Sequence, residues 1–420
     1  MLQEENDRLT QVGPGTPCGE LMRRYWQPLA LSEELPRGGA PLPVRLLGED
    51  MVLFRDDQGR PGLLGIHCSH RGADLSYGRV EDGGLRCIYH GWLYDIHGNC
   101  LDQPGEPGGG PHRSEIRQPA YPCVERVGII FAYMGPGEPP LLPNYEFLTL
   151  PEEQVFCTKL YSECNYLQGN EGNIDLLHVS ILHYTDRDVQ ANTVSGGNGL
   201  SPRGGAPGAE TTDAELVDVG LRVCKLRKVP PDRTYIRSCT FVMPNLCAVP
   251  ARQEGGRGYT VNWHVPIDDE NHWKYVLIFN RERALDKDAV LRERQATDSG
   301  YKSLRNRANR YLQDRDSMNT ESYSGIGHVF QAQDLCVTES AAIQDRTQEH
   351  LVASDAPIVA SRKVLLKGIA DVEQGRDPAN VVRDPEANRF KIISTYGFLP
   401  EGMSWKEYHR GLEGESRDAR

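Results

Sequence analysis

Two short sets of metal-ligand residues, about a hundred positions apart, constrain this 420-residue chain more than any other feature. The first set contains two cysteines and two histidines: Cys68, His70, Cys87 and His90. Two thiolates and two imidazoles can hold a [2Fe-2S] cluster whose histidines share one iron, and they also suit structural zinc. The single residue between Cys68 and His70 favours the cluster. So do Gly72 and Gly91, because glycine lets main-chain N–H groups approach the cluster sulfurs.

The second set is Asp175, His178 and His183. The two histidines, joined by a carboxylate from a distant part of the chain, can form the facial triad of a mononuclear, oxygen-activating iron. His178 and His183 are five residues apart, which on a regular helix places them about 140° apart around the axis. Both can bind one metal only if the helix is distorted or ends between them. An ordinary helix that carries two histidines is the alternative interpretation.

The order and spacing of the two sets, together with Gly91-Trp92 and the stretch from Asn165 to Asp175, resemble the catalytic (alpha) subunit of Rieske non-haem iron oxygenases. More narrowly, they resemble the phthalate-dioxygenase-like branch of that family. The resemblance extends from Gly13 to about Asp355. It implies an enzyme that holds a Rieske [2Fe-2S] cluster and Fe(II), and that activates O2 to hydroxylate an aromatic ring.

The resemblance also implies roles that spacing does not reveal. It makes Asp334 the third iron ligand, with Glu339 and Asp345 as alternatives. It makes Asp175 a bridge for electrons between His178 and His90 of the partner subunit, and therefore implies a homotrimer or a multiple of it. Some branches of the family have asparagine four residues before this aspartate, where this chain has Glu171, so a solvated or salt-bridged residue is expected there.

The implied fold is α+β: an all-β Rieske domain, then a helix-grip catalytic domain in which an antiparallel sheet wraps around a helix. Domain boundaries are predicted at 1–27 for an N-terminal helical segment, 28–140 for the Rieske domain and 141–420 for the catalytic domain. The iron helix is predicted over 165–183. A polar, glycine-rich stretch, 186–212, is predicted to be either an active-site lid or a surface insertion.

Periodicity and turn residues predict the remaining elements. In the first domain, two hairpins are predicted, with turns at 48–50 and 56–59. In the second domain, strands are predicted over 216–226, 234–243, 259–265 and 273–279, and helices over 289–312 and 354–372. His264, in one of these strands, is expected to be a hydrogen-bonded core histidine.

Composition excludes several function classes. The chain has 47 basic and 59 acidic side chains, a net charge of -12, and no basic cluster, which argues against binding nucleic acid. No apolar run approaches the roughly 20 residues of a membrane-spanning helix, and the charged start lacks the features of a signal peptide. Eleven cysteines without disulfide-like spacing are expected to be ligands or reduced thiols. These features predict a cytoplasmic protein.

No glycine-rich dinucleotide loop follows a strand, so the electrons are expected to come from a separate NAD(P)H-dependent reductase. An aromatic carboxylate is the favoured substrate, with Arg237 as its anchor and Arg227 and Arg252 as further candidates. The alternatives are a monooxygenase or O-demethylase of methoxylated aromatics, a Rieske protein that only transfers electrons, and a binding protein with a zinc-stabilised domain.

Overall fold

The computed structural model describes residues 1–185, 210–229, 232–250, 258–294 and 297–418, with the backbone alone for 292–294 and 415–418. The chain begins with two short helices, α1 (Gln3–Thr10) and α2 (Pro17–Arg23). Thr16 caps α2 by accepting a hydrogen bond from the Gly19 N–H. Both helices pack against a long helix over 356–373, and therefore against the second domain.

The first domain is built from antiparallel strands in three small sheets, ordered β1-β11-β10, β2-β3-β4-β9 and β5-β6-β7-β8. The strands are β1 (Gln27–Leu31), β2 (Leu42–Leu46), β3 (Glu49–Arg55), β4 (Pro61–Gly65), β5 (Arg79–Glu81), β6 (Gly84–Arg86), β7 (Leu93–Tyr94), β8 (Cys100–Asp102), β9 (Ala120–Tyr121), β10 (Cys123–Arg126) and β11 (Ile129–Ala132). The two predicted hairpins are confirmed as β2–β3 and β3–β4.

The second domain contains one large antiparallel sheet, ordered β12-β18-β17-β16-β15-β14-β13, with β19 paired to β15. Its strands are β12 (Val155–Ser162), β13 (Glu210–Val217), β14 (Gly220–Val229), β15 (Arg233–Val242), β16 (Leu246–Pro250), β17 (Tyr259–Pro266), β18 (His272–Phe279) and β19 (Thr395–Phe398). One face packs towards the first domain, where the Trp263 ring lies 5.7 Å from that of Phe131. The other face, called the helix face below, carries Leu160, His264 and Lys274.

Six helices complete the described part of this domain: α3 (Glu146–Thr149), α4 (Tyr166–Ile174), α5 (Lys287–Arg294), α6 (Phe330–Thr338), α7 (Ala356–Glu373) and α8 (Trp405–Asp418). Helix α4 lies directly on the helix face, across β15 to β18. Gly169 permits this close approach, since a Cβ there would lie 2.5 Å from Nδ1 of His264. The predicted α+β arrangement, a β domain followed by a sheet that packs on a helix, is confirmed.

Two elements that were predicted to be continuous are interrupted. The segment 216–226 is not one strand, because a turn at 218–219 separates β13 from β14, and Gly220 there has a φ of 144°. The segment 289–312 is not one helix, because α5 ends at Arg294 and Arg307–Leu312 is a short 3-10 turn. The Tyr311 hydroxyl in this turn donates to Glu339 at 2.6 Å, so a tertiary contact outweighs helix propensity.

The remaining predictions are either confirmed or concern residues outside the described ranges. The helix predicted over 354–372 is α7, whereas β16 and α8 were not predicted. Most of the proposed lid, 186–209, lies outside the described residues, and 210–212 begin β13. All eleven cysteines lie in the described part of the chain, and none forms a disulfide. Among the described residues, no helix combines the length and apolar character needed to cross a membrane.

Candidate functional site

Two loops, one between β4 and β5 and the other between β6 and β7, carry the four predicted cluster ligands, and their backbones have the same hydrogen-bond pattern. In the first loop, the Cys68 N–H donates to the Ala73 carbonyl and the Gly72 N–H donates to the Cys68 carbonyl, both at 2.8 Å. The second loop repeats these bonds from Cys87, at 2.8 and 3.0 Å. Gly72 and Gly91, each four residues after the cysteine of its loop, have positive φ values of 72° and 77°, which glycine adopts without strain.

The four donor side chains converge at the loop tips. The thiols of Cys68 and Cys87 are buried and lie within hydrogen-bonding reach of each other. The rings of His70 and His90 are 4.6 Å apart, and His90 is exposed. A pair of neighbouring thiols and a pair of neighbouring imidazoles, each contributed jointly by the two loops, fit the donor set of a [2Fe-2S] cluster whose histidines share one iron.

Two aromatic residues support these loops. The Trp92 ring stacks on that of His70, with centroids 4.4 Å apart and planes 6° apart. The Tyr94 hydroxyl lies 3.2 Å from Sγ of Cys68, and a hydrogen bond to a cluster sulfur is one way a protein adjusts the reduction potential. No sequence signal distinguishes Tyr94 from an ordinary strand aromatic, since it lies in the short strand β7 just after the second loop.

The residues predicted to bind the second metal begin just beyond α4. Asn165 caps this helix by accepting from the Leu167 N–H, and the helix ends at Ile174. A 3-10 turn follows over His178–Ser180. The predicted helix over 165–183 is therefore too long. Because regular helix ends before either histidine, their five-residue spacing no longer keeps them apart.

Asp334, in α6, meets the two histidines. Its Oδ1 lies 2.9 Å from Nε2 of His183 and 3.7 Å from Nε2 of His178. One ligand atom from each of the three residues falls within 4.8 Å of the others. Nε2 of His183 is buried and makes no hydrogen bond despite this short distance. A shared cation would satisfy this atom, so the arrangement fits a two-histidine, one-carboxylate metal site.

The other nitrogen of each histidine faces an oxygen. Nδ1 of His183 donates to the Gln333 side-chain oxygen at 2.6 Å, and Nδ1 of His178 is 3.5 Å from a carboxylate oxygen of Asp175. These contacts orient both rings with Nε2 towards Asp334. Metal-binding histidines are commonly held in this way.

The carboxylates around this site are ionised. Burial would raise the pKa of Asp334, but the neighbouring side chains of His183, Lys274 and His178 lower that pKa to about 2. Burial likewise opposes ionisation of Asp175, and the hydrogen bond and charge of His178 lower its pKa.

The alternative iron ligands have other contacts. Glu339 accepts hydrogen bonds from the Tyr311 hydroxyl at 2.6 Å and the Glu163 N–H at 2.8 Å. Asp345 caps a 3-10 turn by accepting from the Thr347 N–H at 3.0 Å. Neither belongs to the group that could hold a metal. The expected salt-bridged state of Glu171 is confirmed, since Arg346 and Arg362 both contact its carboxylate.

A cavity of about 130 Å³ opens beside the metal-binding residues, between α4, α6 and the helix face. Lys274 lines it, with Nζ 3.7 Å from Oδ2 of Asp334. Leu160 and Gln331 also line a second cavity of about 280 Å³ at the edge strand β12, so the two cavities adjoin. Lys274 could not be identified from its sequence context, because a strand lysine is normally exposed.

Two buried histidines on the helix face have fixed tautomers. Nδ1 of His272 donates to the Cys164 carbonyl at 2.7 Å, so its Nε2 must accept from Nδ1 of His264 at 3.0 Å. Nε2 of His264 then accepts from the Asn173 amide at 3.1 Å. Burial, with the charge of Lys274, lowers the pKa of His272 to about 4. His264 is thus the hydrogen-bonded core histidine expected from the sequence.

Cationic side chains lie on the same face near His178. The Lys225 ammonium donates to the Ser180 hydroxyl at 2.6 Å, two residues from His178. Glu210 lies 3.6 Å from Lys225 and 3.7 Å from Arg227, so two buried cations share one carboxylate. Nε and Nη2 of Arg227 are buried without hydrogen-bond partners.

Arg237 lies directly opposite Lys225 in the β14–β15 register, and the two residues therefore share a face of the sheet. The sequence could not fix the direction of Arg237. The third candidate arginine, Arg252, lies outside the described residues.

Comparisons with known proteins match both domains of the chain. The family model described as the Rieske [2Fe-2S] domain matches residues 25–122, and the model described as LigXa C-terminal domain like matches 132–418. The chain is 36% identical over 391 residues to the phenoxybenzoate dioxygenase subunit alpha of Ectopseudomonas oleovorans, covering 89% of this chain and 87% of that one. It is 32% identical to the 5,5'-dehydrodivanillate O-demethylase oxygenase subunit of a Sphingobium species, with coverage of 97% and 90%.

A solved structure of the reduced complex between oxygenase and ferredoxin in carbazole 1,9a-dioxygenase has a similar fold, with a TM-score of 0.58 and 19% identity over 91% of this chain and 96% of that one. The Rieske match decides against the zinc interpretation of the first site, and the catalytic-domain match decides against a protein that only transfers electrons. The predicted cofactors, a Rieske [2Fe-2S] cluster and a mononuclear non-haem iron, are confirmed at the level of the family. This chain belongs to the Rieske non-haem iron oxygenases, as an alpha subunit of an aromatic ring-hydroxylating or O-demethylating system.

Proposed function

We propose that this chain is the oxygenase component of a system that hydroxylates an aromatic carboxylate, with electrons from a separate NAD(P)H-dependent reductase. The observation that carries the proposal is the pairing of an iron-type donor set, His178, His183 and Asp334, with buried cations on the same face of the sheet. The donor set supports oxygen activation. The cations support the choice of an anionic substrate.

We assign the cluster to Cys68, His70, Cys87 and His90, and the iron to His178, His183 and Asp334. When bound, the iron supplies O2 activation, which needs coordination positions that the three protein ligands leave open. The protein's own contribution is orientation. Gln333 and Asp175 hold the two imidazole rings by their Nδ1 atoms, and burial of His183 restricts the access of water to its ligand atom.

The acid group of the substrate is assigned to Arg237, assisted by Lys225 and Arg227. Burying Lys225 and Arg227 around the single carboxylate of Glu210 leaves an excess positive charge among these three groups. Such a charge is costly until an anion joins it. A substrate carboxylate would accept two parallel hydrogen bonds from a guanidinium and neutralise the cluster.

Electrons are proposed to cross between subunits, from His90 of the partner subunit to Asp175 and then to His178. The Asp175 side chain is 36% exposed, and it is the contact of His178 on the side away from Asp334. In the cluster loop, His90 is exposed beside Ile88 and Tyr89, which are 61% and 56% exposed. An apolar, exposed loop tip is suited to a partner surface. A head-to-tail contact of this kind closes into a ring, which supports a homotrimer or a multiple of it.

The proposal of a separate reductase rests on this path of electrons through the cluster and on the relatives. The carbazole enzyme forms a complex with a ferredoxin, and an equivalent small electron carrier or reductase is proposed here. The second candidate reaction is monooxygenation with O-demethylation, which the 32% identity to the dehydrodivanillate demethylase favours. Both reactions use the same metal ligands and differ in how the pocket presents the substrate.

A single-turnover reaction tests the proposal. Chemically reduced protein is mixed with labelled O2 and a panel of benzoates, phthalates and methoxylated benzoates, and the products are analysed by mass spectrometry. Incorporation of both labelled oxygens into a carboxylated ring would support ring dihydroxylation. Formaldehyde release, or incorporation of one oxygen, would support the second candidate. Turnover of uncharged aromatics in preference to every carboxylate would contradict the substrate class.

A further inference from the structure

The last turn of α4, immediately before Asp175, is held on two sides. On one side, the Asn173 amide donates to the Gly169 carbonyl at 2.9 Å and to His264, and its oxygen accepts from Asn262. The carbonyl oxygen of Asn173 also accepts contacts from two strand thiols at 3.6 and 3.7 Å. Glu171 lies two residues earlier and therefore about 200° around the helix, on the opposite side.

Two arginines hold the carboxylate of Glu171. Nε of Arg362 donates to one oxygen at 2.6 Å, while Nε and Nη2 of Arg346 donate to the other at 3.2 and 3.0 Å. Arg362 makes a second, two-point pair with Glu349 at 2.6 and 2.9 Å. Arg346 has no exposed surface. Two guanidinium groups thus meet two carboxylates, and the buried cluster is balanced in charge.

This ion cluster also reaches the N-terminal helix. Nη1 of Arg346 donates to the Asn6 side chain in α1 at 3.2 Å. The start of α4 is held by the same helix, because Asn165 donates to the Thr10 carbonyl at 2.8 Å and Tyr166 donates to the Leu9 carbonyl at 3.0 Å. Residues 1–24 lie outside both family-model matches, yet α1 bonds directly to the start of α4 and, through Arg346, to its last turn.

A buried ion cluster adds little net stability compared with well-packed apolar side chains. What it does supply is direction, since planar guanidinium groups fix a carboxylate by paired hydrogen bonds. The backbone carbonyl of Glu171 accepts the Asp175 N–H at 2.8 Å. Glu171 is therefore fixed by its side chain, and its main-chain carbonyl in turn holds the backbone of Asp175. From this backbone position the Asp175 carboxylate reaches His178.

We propose that Glu171, held by Arg346 and Arg362, is a positioning residue for electron transfer: it keeps Asp175 in the geometry that joins the cluster of one subunit to the iron of the next. The inference rests on the role proposed above for Asp175. It assigns a function to the position at which this chain differs from the family branches that have asparagine there.

Glu171→Gln tests the proposal, because it keeps the shape of the side chain and removes its charge. Oxidation of the reduced cluster is followed by stopped-flow absorbance at saturating substrate, and deuterium uptake of the holoenzyme is measured over residues 171–178. We expect roughly tenfold slower cluster oxidation, an unchanged KM and visible spectrum, and faster exchange in this segment. Glu373→Gln, which removes an exposed pair between α1 and α7, is the matched control and should change neither quantity.

Wild-type oxidation and exchange rates in Glu171→Gln would overturn the proposal. If that variant folds poorly, Arg362→Lys keeps the charge but loses the paired hydrogen bonds, and the proposal then requires slower oxidation with faster exchange confined to 171–178. Asp175→Asn distinguishes the role of Asp175 from that of Glu171. Normal cluster oxidation in Asp175→Asn would refute the role of Asp175 as a bridge, and with it the positioning role of Glu171. Slow oxidation in Asp175→Asn, with normal oxidation in both Glu171→Gln and Arg362→Lys, would refute the positioning role of Glu171 alone.

Discussion

The two metal sites of this chain are assembled in opposite ways. The four cluster donors come from residues 68–90, on two adjacent loops that are each closed by their own backbone hydrogen bonds. The iron donors come from residues 178–183, just after α4, and from α6, about 150 residues later. The first geometry is local. The second exists only once α4, α6 and the sheet have packed together.

This difference decides how each site should respond to damage. The cluster loops are closed by their own backbone bonds and are otherwise held within the first domain, the first loop by Gln118 and Tyr94, so a lost ligand should affect that site alone. The iron site depends on packing, and it is connected through Glu171 and Asn173 to α1, α7 and three strands. Changes made at a distance should therefore reach the iron site more readily than the cluster.

The largest expected effect is at the iron. Asp334→Ala removes the only anion among the three ligands, so we expect at least a hundredfold loss of turnover and loss of one iron per chain, with the visible spectrum of the cluster unchanged. Iron analysis and absorbance check this. Glu339→Gln is the control, since Glu339 is a nearby carboxylate bonded to Tyr311. Retention of iron by the Asp334 variant, or its loss from the Glu339 variant, would show that the wrong carboxylate has been assigned.

The reciprocal change is Cys87→Ser. We expect the visible spectrum to disappear, because a cluster thiolate is lost, while one iron per chain remains at the second site. Cys100→Ser, a buried cysteine in the same sheet, should keep its colour. Loss of both metals from Cys87→Ser would mean that the two sites do not fold independently, which is contrary to the comparison above.

The sequence predicts the local cluster site more fully than the iron site, which is assembled from distant segments. Cys68, His70, Cys87 and His90 could be read from spacing because their loops are local. Asp334 entered only through the family resemblance, since Glu339 and Asp345 are equally acidic neighbours. What separates them is the direction of α6 and its contact with His183, neither of which is encoded in a short segment.

The residues proposed to bind the substrate were the least predictable part of the site. Arg237 alternates with residues of both sheet faces, so its direction became clear only from the register that places it opposite Lys225. Lys225 and Lys274 resemble solvated strand lysines in the sequence, yet both are buried. Their burial depends on where α4 and the turn at His178 cross the sheet, which is a long-range property.

A smaller effect is expected from Arg237→Ala. Loss of a charge-assisted, two-point contact should raise KM for a carboxylated substrate roughly 10- to 100-fold, with little change in the spectrum or the iron content. Arg233→Ala is the matched control. Arg233 stands at the start of the same strand and packs over Phe398, 4.2 Å from its ring centroid. An unchanged KM in Arg237→Ala would remove this residue from the substrate site.

The smallest effect concerns pH and the buried histidine pair. The pKa of His272 is about 4 when folded, against 6.5 for an ordinary histidine, so the unfolded chain binds the extra proton first. The contribution of neutral His272 to the free energy of unfolding is complete above about pH 6.5 and is lost as the pH falls towards 4. Between about pH 7.5 and 5 the wild type should lose about 2 kcal/mol of unfolding free energy relative to His272→Gln, which keeps the donor and the acceptor but cannot titrate.

Urea unfolding of both proteins at the two pH values measures this difference. His112→Gln, at an exposed histidine paired with Glu115, should follow the wild type. Parallel losses in the wild type and His272→Gln would mean that the buried pair does not contribute to the acid sensitivity of the fold.

The most direct test of the account is complementation between the two damaged sites. Cys87→Ser chains lack the cluster and Asp334→Ala chains lack the iron, so neither should turn over alone. When the two variants are co-expressed and form mixed oligomers, the cluster of one chain would face the iron of another across Asp175. Turnover should then return to a substantial fraction of the wild-type rate. Mixed oligomers that form but remain inactive would contradict electron transfer between subunits.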